Sequence, residues 1–276
     1  MSSHPHRQRW SPTLLVWVSM ALHVIGLAAV VAEPGLILWV GAILVSNHSL
    51  LLLIGSVPQS RRLGANLSRL PECAARRREI ALTFDDGPDP IVTPAILDLL
   101  DRYGARASFF CVGARAVDHP DLVREIVRRG HTVENHSYRH SNYFACYGIG
   151  TLYRDLTEAQ RVLTEISGRP PQYFRAPMGL RSPLLDPVLV RTGLQLASWT
   201  RRGYDGVSGN PAAVLRRLLR RLDPGDILLL HDRPSPFARS TDPVILSVLP
   251  ALLDHLERQS LRAVSLPAGL GEQRSG

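Results

Sequence analysis

Hydrophobic residues form two long stretches near the start of the chain and recur afterwards in short blocks. Residues 13–32 contain few polar side chains, and residues 36–57 are interrupted by a polar run at 46–49. About 20 apolar residues span the hydrocarbon core of a bilayer. The pattern therefore predicts two transmembrane helices, about 13–32 and 36–57, which form a helical hairpin that anchors the protein through residues 1–57.

Polar residues within the second stretch need an explanation, because polar groups are costly in a membrane. Asn47 and His48 are either functional groups or hydrogen-bonding partners for the first helix. We favour the second interpretation. A cleaved signal peptide is the competing interpretation of the first stretch, but its apolar part exceeds the usual 7–15 residues and a second apolar stretch follows it.

Arginines predict the orientation of the hairpin. Arg7 and Arg9 precede it, Arg61 and Arg62 follow it, and the connection carries Glu33. Positive flanks at both ends predict that both termini are cytoplasmic. The expected location is the inner membrane of a bacterium, with the catalytic domain on the cytoplasmic face. If only one stretch spans the membrane, the domain lies on the opposite side.

After a polar stretch at 58–78, which we predict to be a juxtamembrane linker, short apolar runs alternate with helical patterns. The predicted strands are 80–84, 107–112, 131–134, 172–175, 194–199, 226–231 and 261–264. The predicted helices are 93–103, 120–129, 151–167, 182–192, 211–222 and 242–258. Such alternation predicts a parallel α/β sheet that is closed or nearly closed into a barrel, spanning 79–265. Residues 266–276 are predicted to be a flexible tail.

Charge and cysteine content exclude several classes of protein. The formal net charge of +8 comes entirely from arginine, because the chain has no lysine. These arginines are scattered, without an aromatic-interleaved basic motif, which argues against nucleic-acid binding and favours a surface next to anionic lipid. Three cysteines without paired spacing provide neither a disulfide framework nor a CxxC metal site.

Polar residues follow the predicted strands, where α/β proteins gather catalytic groups. Asp85 and Asp86 end the first strand, and adjacent positions point in opposite directions. His136 and His140 are four residues apart, so both imidazoles can reach one metal ion. Two histidines and one carboxylate are a common catalytic metal shell. A turn formed by Asp-Asp-Gly-Pro is the structural alternative for the first pair.

Three later strand ends carry further candidates. Arg175 is placed to clamp a carboxylate, Trp199 is followed closely by Asp205, and His231 ends an apolar strand, where it is suited to act as a general acid. Each has an ordinary alternative taken alone: a surface arginine, a core tryptophan or a core histidine. Their combination with the aspartate pair and the two histidines favours a site.

These stretches resemble the five motifs of the polysaccharide deacetylase family, the NodB homology domain of carbohydrate esterase family 4. Residues 83–88, Thr-Phe-Asp-Asp-Gly-Pro, resemble its first motif, and residues 130–140 its second. The resemblance implies an irregular barrel of seven parallel strands and a divalent metal, usually zinc, with cobalt or nickel accepted by related enzymes. The roles it implies are a catalytic base at Asp85, metal ligands at Asp86, His136 and His140, an orienting Arg175, a catalytic acid at His231, Asp205 supporting either Arg175 or His231, and a substrate pocket at Leu229, Trp199, Pro177 and Met178.

Two departures from the family pattern affect the expected substrate. Met178 stands where an aromatic residue is usual, and residues 199–206 lack an Asp-Trp pair. With the predicted anchor, they favour deacetylation of a lipid-linked or glycolipid-precursor amino sugar, bearing an acetyl or formyl group, over a chitin-like polymer. The alternatives are a periplasmic deacetylase of polysaccharide or peptidoglycan, and a non-catalytic membrane-anchored scaffold.

Overall fold

The computed structural model describes residues 10–234 and 243–271, and it begins with two helices, α1 (Leu14–Ala32) and α2 (Ile37–Gly55), joined by a 3-10 turn at Pro34–Leu36. Both helices are long and apolar enough to cross a membrane, and most of their apolar side chains are exposed. The amide of Asn47 donates to Oγ of Ser19 across the hairpin (2.9 Å). The ring of His48 meets the ring of His23 edge to face. The interpretation as an interhelical hydrogen bond is therefore confirmed for Asn47, whereas Nδ1 of His48 is engaged with the carbonyl of Leu44 in its own helix and only its ring contacts α1.

The remaining chain forms a parallel sheet covered by helices. The strands are β1 (Glu79–Asp85), β2 (Ser108–Cys111), β3 (Thr132–Asn135), β4 (Tyr173–Phe174), β5 (Gln195–Leu196), β6 (Arg201–Arg202), β7 (Ile227–His231) and β8 (Arg262–Val264). The helices are α3 (Glu72–Arg76), α4 (Val92–Arg102), α5 (Gly113–Asp118), α6 (Pro120–Arg128), α7 (Ile149–Ser167), α8 (Leu185–Thr192), α9 (Pro211–Leu219), α10 (Val244–Arg258) and α11 (Leu266–Gly269).

The strand order β5-β4-β3-β2-β1-β7-β6, with β8 beside the start of β1, gives an open barrel whose two edges are consecutive in the chain. All pairings are parallel, so the predicted fold class is confirmed. The single strand predicted at 194–199 is instead two short strands. Its backbone pairs first with β4, through the amide of Ala197, and then with β7, through the amide of Thr200, and this switch brings the barrel edges together.

Two apolar layers hold the barrel. Every residue of β1 is buried, because strands of a parallel sheet are covered on both faces. Outside the barrel, Phe84 and Phe109 stack with ring centroids 5.1 Å apart beneath the surrounding helices. Inside it, Phe110, Trp199 and Leu229 belong to a second cluster that lies under the functional site.

The predicted linker and tail pack against this barrel. Leu63 and Leu70 are buried, and the amide of Leu70 bonds to Gly225. Leu266 is also buried, and its amide bonds to Oγ of Ser108, so residues 266–271 are not the flexible tail that was expected. The polar composition of the linker hides the few apolar residues that anchor it, and in the predicted tail only Leu266 and Leu270 signal packing among small residues. Arg7, Arg9, Asp242 and residues 272–276 lie outside the described residues.

Candidate active site

The carboxyl ends of β1, β3, β4 and β7 place their polar residues around one cavity. Asp85 and His231 are register partners at the ends of neighbouring strands. The lining residues are Asp85, Asp86, His136, His140, Asn142, Met178, Gly179, Trp199, Arg202, Gly206, Val207, Leu229, His231, Arg233 and Pro234. The parallel arrangement thus gathers residues from positions 85 to 234 at one edge.

Asp85 is held by a buried arginine. Nη1 of Arg175 lies 2.6 Å from Oδ1 of Asp85 and also donates to Oγ1 of Thr83. Its other nitrogens donate to the backbone carbonyls of Ala197 and Ser198. Burial lowers the pKa of Arg175, while the charge of Asp85 opposes this effect. Because each of its three nitrogens donates a hydrogen bond, the guanidinium is fixed and holds the Asp85 carboxylate in one orientation.

The other aspartate of the pair faces the two histidines. Oδ1 of Asp86 lies 3.0 Å from Nε2 of His140 and 3.4 Å from Nε2 of His136. Burial would raise the pKa of Asp86, but its contacts with both histidines hold that pKa well below its ordinary value. Nδ1 of His136 is engaged with the carbonyl of Arg175 (2.8 Å), which directs Nε2 into the cavity. One ligand atom from each residue falls within 4.8 Å of the others, which suits a divalent metal.

His231 is held by Asp205. Asp205 was expected to support either Arg175 or His231, and the structure places it against His231. Nδ1 of His231 lies 3.0 Å from one carboxylate oxygen, and the backbone amide of His231 donates to the other (2.7 Å). Burial alone lowers the pKa of His231, but the charge and hydrogen bond of Asp205 outweigh burial and raise it to about 9. The imidazole is therefore protonated at neutral pH and able to donate a proton.

Sequence reasoning missed the role of Asp232, which follows the predicted acid. Its carboxylate accepts hydrogen bonds from the amide of Gly87 (2.9 Å) and from Oγ1 of Thr93 (2.7 Å). A Cβ at Gly87 would lie 2.0 Å from this carboxylate. Burial raises the pKa of Asp232 to about 7, although both hydrogen bonds favour its ionised form. Asp232 thus fixes the turn that follows the aspartate pair.

The predicted substrate pocket is partly reproduced. Leu229, Trp199 and Met178 line the cavity, whereas Pro177 is buried and is not among the lining residues. Arg202 and Arg233 also line it and were not predicted. Their signal in the sequence was weak, because in an arginine-rich chain these two look like any other surface arginine. All predicted catalytic and metal-binding residues lie together at this edge of the sheet.

Comparisons with known proteins agree with this site. A family model described as polysaccharide deacetylase matches residues 73–197. A chitooligosaccharide deacetylase from Sinorhizobium fredii is 33% identical over 201 residues, which cover 68% of this chain and 92% of the relative.

Solved structures share the fold. The peptidoglycan N-acetylglucosamine deacetylase Bc1960 has a TM-score of 0.67 at 26% identity, with 76% of this chain and 95% of that chain covered. A carbohydrate esterase family 4 pseudoenzyme from Bacillus anthracis, BA3943, has a TM-score of 0.66 at 21% identity, with 76% and 70% covered. At that identity the second similarity concerns the fold alone.

Proposed function

The chain belongs to the polysaccharide deacetylase family, and we propose that it is a membrane-anchored, metal-dependent N-deacetylase of a lipid-linked or glycolipid-precursor amino sugar. It is a hydrolase of non-peptide carbon–nitrogen bonds. One observation carries the proposal. Asp85 held by Arg175 and His231 held by Asp205 line the same cavity as the Asp86, His136 and His140 cluster.

The donor set fits a divalent metal. Two imidazole nitrogens and one carboxylate leave open positions, as in catalytic zinc sites. The carbonyl of Arg175 holds His136 in the tautomer whose Nε2 is free to bind. We propose zinc, with cobalt or nickel as possible substitutes. A metal held by these residues would polarise the acyl carbonyl and make water a stronger nucleophile near neutral pH.

The residues themselves supply the proton transfers. Asp85 accepts a proton from the attacking water, because its hydrogen bond with Arg175 orients the carboxylate at the cavity. His231 donates its proton to the departing nitrogen, which as an amide anion would be a very poor leaving group. Asp205 keeps His231 charged until that transfer. Leu229 and Trp199 give the acyl side of the cavity an apolar wall, which suits a small group such as acetyl or formyl.

Contacts between the hairpin and the catalytic domain support a substrate at the membrane. Nε1 of Trp10 donates to Asp186 (2.9 Å) just before α1, and the carbonyl of Gly55 at the end of α2 accepts from the amide of Arg181 (3.2 Å). Both ends of the hairpin therefore lie on the catalytic domain. A 19-residue helix is about 28 Å long, close to the thickness of the hydrocarbon core. With the flanking arginines, this arrangement supports a cytoplasmic-face domain.

Turnover tests the catalytic assignment. We expect the full chain, purified in detergent with zinc, to release acetate from N-acetylated amino sugars. Asp85→Asn and His231→Ala should each abolish turnover while retaining the thermal unfolding transition. Near-wild-type activity in either folded variant would refute the assignment. A zinc-loaded wild type that hydrolyses no acylated sugar would instead favour the non-catalytic scaffold.

Location and substrate need a separate test. A C-terminal reporter that is active only in the cytoplasm supports the proposed orientation, whereas periplasmic activity would favour the polymer-directed alternative. Mass spectrometry of lipid-linked glycans from cells with and without the gene should show loss of one acyl group only when the gene is present. Unchanged lipid-linked glycans would contradict the proposed substrate class.

A further inference from the structure

Two arginines on the cavity wall have no acidic partner among the residues that the structure describes. Arg202 and Arg233 both line the cavity that holds the aspartate pair. Within residues 10–234 and 243–271, neither lies within 4.0 Å of a carboxylate oxygen, although many other arginines of the chain do. Nε of Arg202 is buried and has no hydrogen-bond partner in that part of the chain. An unsatisfied buried donor costs free energy, so it favours a ligand that accepts from it.

Strand geometry and aromatic contacts hold Arg202 at the cavity. Adjacent residues of a strand point to opposite faces, and the preceding Arg201 pairs with Asp226 on the other side. The guanidinium of Arg202 lies 5.5 Å from the ring of Trp199 and 4.8 Å from the ring of Tyr204. These cation–π contacts orient the group without consuming its hydrogen-bond donors.

Arg233 approaches from another strand end. It lies two residues after His231 at the end of β7, whereas Arg202 lies in the edge strand β6 and is the register partner of Leu229. The two guanidiniums therefore reach the cavity from neighbouring segments. They make the electrostatic potential in the cavity more positive, which raises the local concentration of anionic ligands.

We propose that Arg202 and Arg233 bind a phosphate group carried by the acylated amino sugar itself. This inference rests on the proposed function and specifies its substrate as a sugar phosphate or phosphodiester. A guanidinium matches phosphate oxygens in paired, charge-assisted hydrogen bonds. Arg202 is the register partner of Leu229, which lies on the acyl side of the cavity. A phosphate bound by Arg202 therefore lies near the acylamino group. A neutral polymer of acetylated sugar carries no anionic group that Arg202 and Arg233 could bind.

The cavity rim suits a lipid attached through that phosphate. Met178 and Val207 line the cavity and are 53% and 50% exposed. The amide of Gln59, four residues after α2, donates to the carbonyl of Trp199 in the cavity wall (2.8 Å). The wall formed by Trp199, which closely approaches Gly179 beside Met178, is therefore contacted directly by the segment that follows the hairpin.

A pair of matched substrates tests the inference. N-acetylglucosamine 1-phosphate and the methyl glycoside of N-acetylglucosamine differ in the anion, and kcat/KM for both is measured with the full-length, zinc-loaded protein. We expect wild type to prefer the phosphate. Arg202→Gln and Arg233→Gln should each reduce the ratio of the two values by about tenfold or more, since a hydrogen bond to a charged group is lost. Arg202→Lys should retain part of the preference.

Three controls separate charge, carboxylate binding and lipid binding. Arg154→Gln removes an equal charge from an exposed position on α7 and should not change the ratio. The carboxymethyl glycoside of N-acetylglucosamine carries a carboxylate in place of the phosphate on C1, and a stronger preference for it would overturn the assignment to phosphate. Vesicles with and without anionic phospholipid show whether the pair binds bilayer headgroups. Reduced vesicle binding in both variants with an unchanged substrate ratio would overturn the inference.

Failure of this inference differs from failure of the proposed function. Equal hydrolysis of both substrates by wild type would overturn the phosphate site and leave deacetylation standing. If neither substrate is hydrolysed, calorimetric binding of N-acetylglucosamine 1-phosphate gives a second measurement. Weaker binding by Arg202→Gln than by wild type supports the site, and equal binding, or none in wild type, overturns it.

Discussion

Replacing Asp205 by asparagine tests how the fold keeps a proton on His231. The carboxylate contacts both Nδ1 and the backbone amide of His231, and the pKa of the imidazole rises from 6.5 to about 9. At about 1.4 kcal/mol per pH unit, this difference favours the protonated form by about 3 kcal/mol. In Asp205→Asn the largest opposing charge is gone, while burial and the smaller effects of Asp86 and Asp85 remain, so the pKa of His231 is expected to fall toward 6.5.

The consequence appears in the alkaline limb of kcat/KM. With a pKa of about 9, roughly nine-tenths of His231 is protonated at pH 8. With a pKa of 6.5 the fraction is about 3%, which predicts a loss of about 30-fold at pH 8 that largely disappears near pH 6. The assay is acetate release measured from pH 5.5 to 10 with zinc-loaded wild type and variant.

The pH at which kcat/KM falls decides the outcome, rather than the maximal value of kcat/KM, because a misplaced imidazole lowers activity at every pH. Asp226→Asn is the matched control. Asp226 is equally buried but precedes β7, about 16 Å along the strand from His231. An alkaline limb that stays near pH 9 in Asp205→Asn would refute the reasoning, and so would an equal shift in the control.

Other contacts lead to three further predictions. Arg175→Met leaves a buried carboxylate without its arginine partner and should lower the free energy of unfolding in urea by about 3–5 kcal/mol. Arg161→Met breaks two exposed ion pairs, with Glu158 and Glu165, and should change that free energy little; equal small losses would contradict this. Gly87→Ala introduces a Cβ 2.0 Å from a carboxylate oxygen of Asp232 and should lower the free energy of unfolding by about 1–3 kcal/mol. Gly148→Ala, where the Cβ meets open space, should not produce this loss. Chelation should abolish acetate release, zinc should restore it, and His140→Ala should bind less zinc by elemental analysis; full zinc content in that variant would exclude His140 as a ligand.

Periodicity and strand-end chemistry predicted most of the fold and the site. The strand ends could be located because buried strands are apolar and the residues that follow them are polar. In a parallel sheet those ends share one edge, so Asp85, His136, Arg175 and His231 had to converge. The alternation of strands and helices along the chain was sufficient to predict that these residues converge.

Pairings between distant residues could not be predicted in the same way. The family resemblance implied that Asp205 supports either Arg175 or His231, and its position along the chain does not distinguish the two. Only the register of β6 beside β7 places it against His231. Asp232 was hidden for a related reason, since its partners Gly87 and Thr93 lie about 140 residues away in sequence.

The segment after α2 joins the helical hairpin to the cavity wall, although its composition suggested a loose linker. The carbonyl of Gly55 accepts from the amide of Arg181, and a Cβ at Gly55 would lie 2.2 Å from the carbonyl oxygen of Arg181. Four residues later, Gln59 donates to Trp199. Short contacts of this kind leave little freedom for the domain to tilt away from the hairpin. If the hairpin spans a bilayer as proposed, the cavity is therefore held at a fixed height above the headgroups, where the proposed membrane-bound sugar phosphate would present its acyl group.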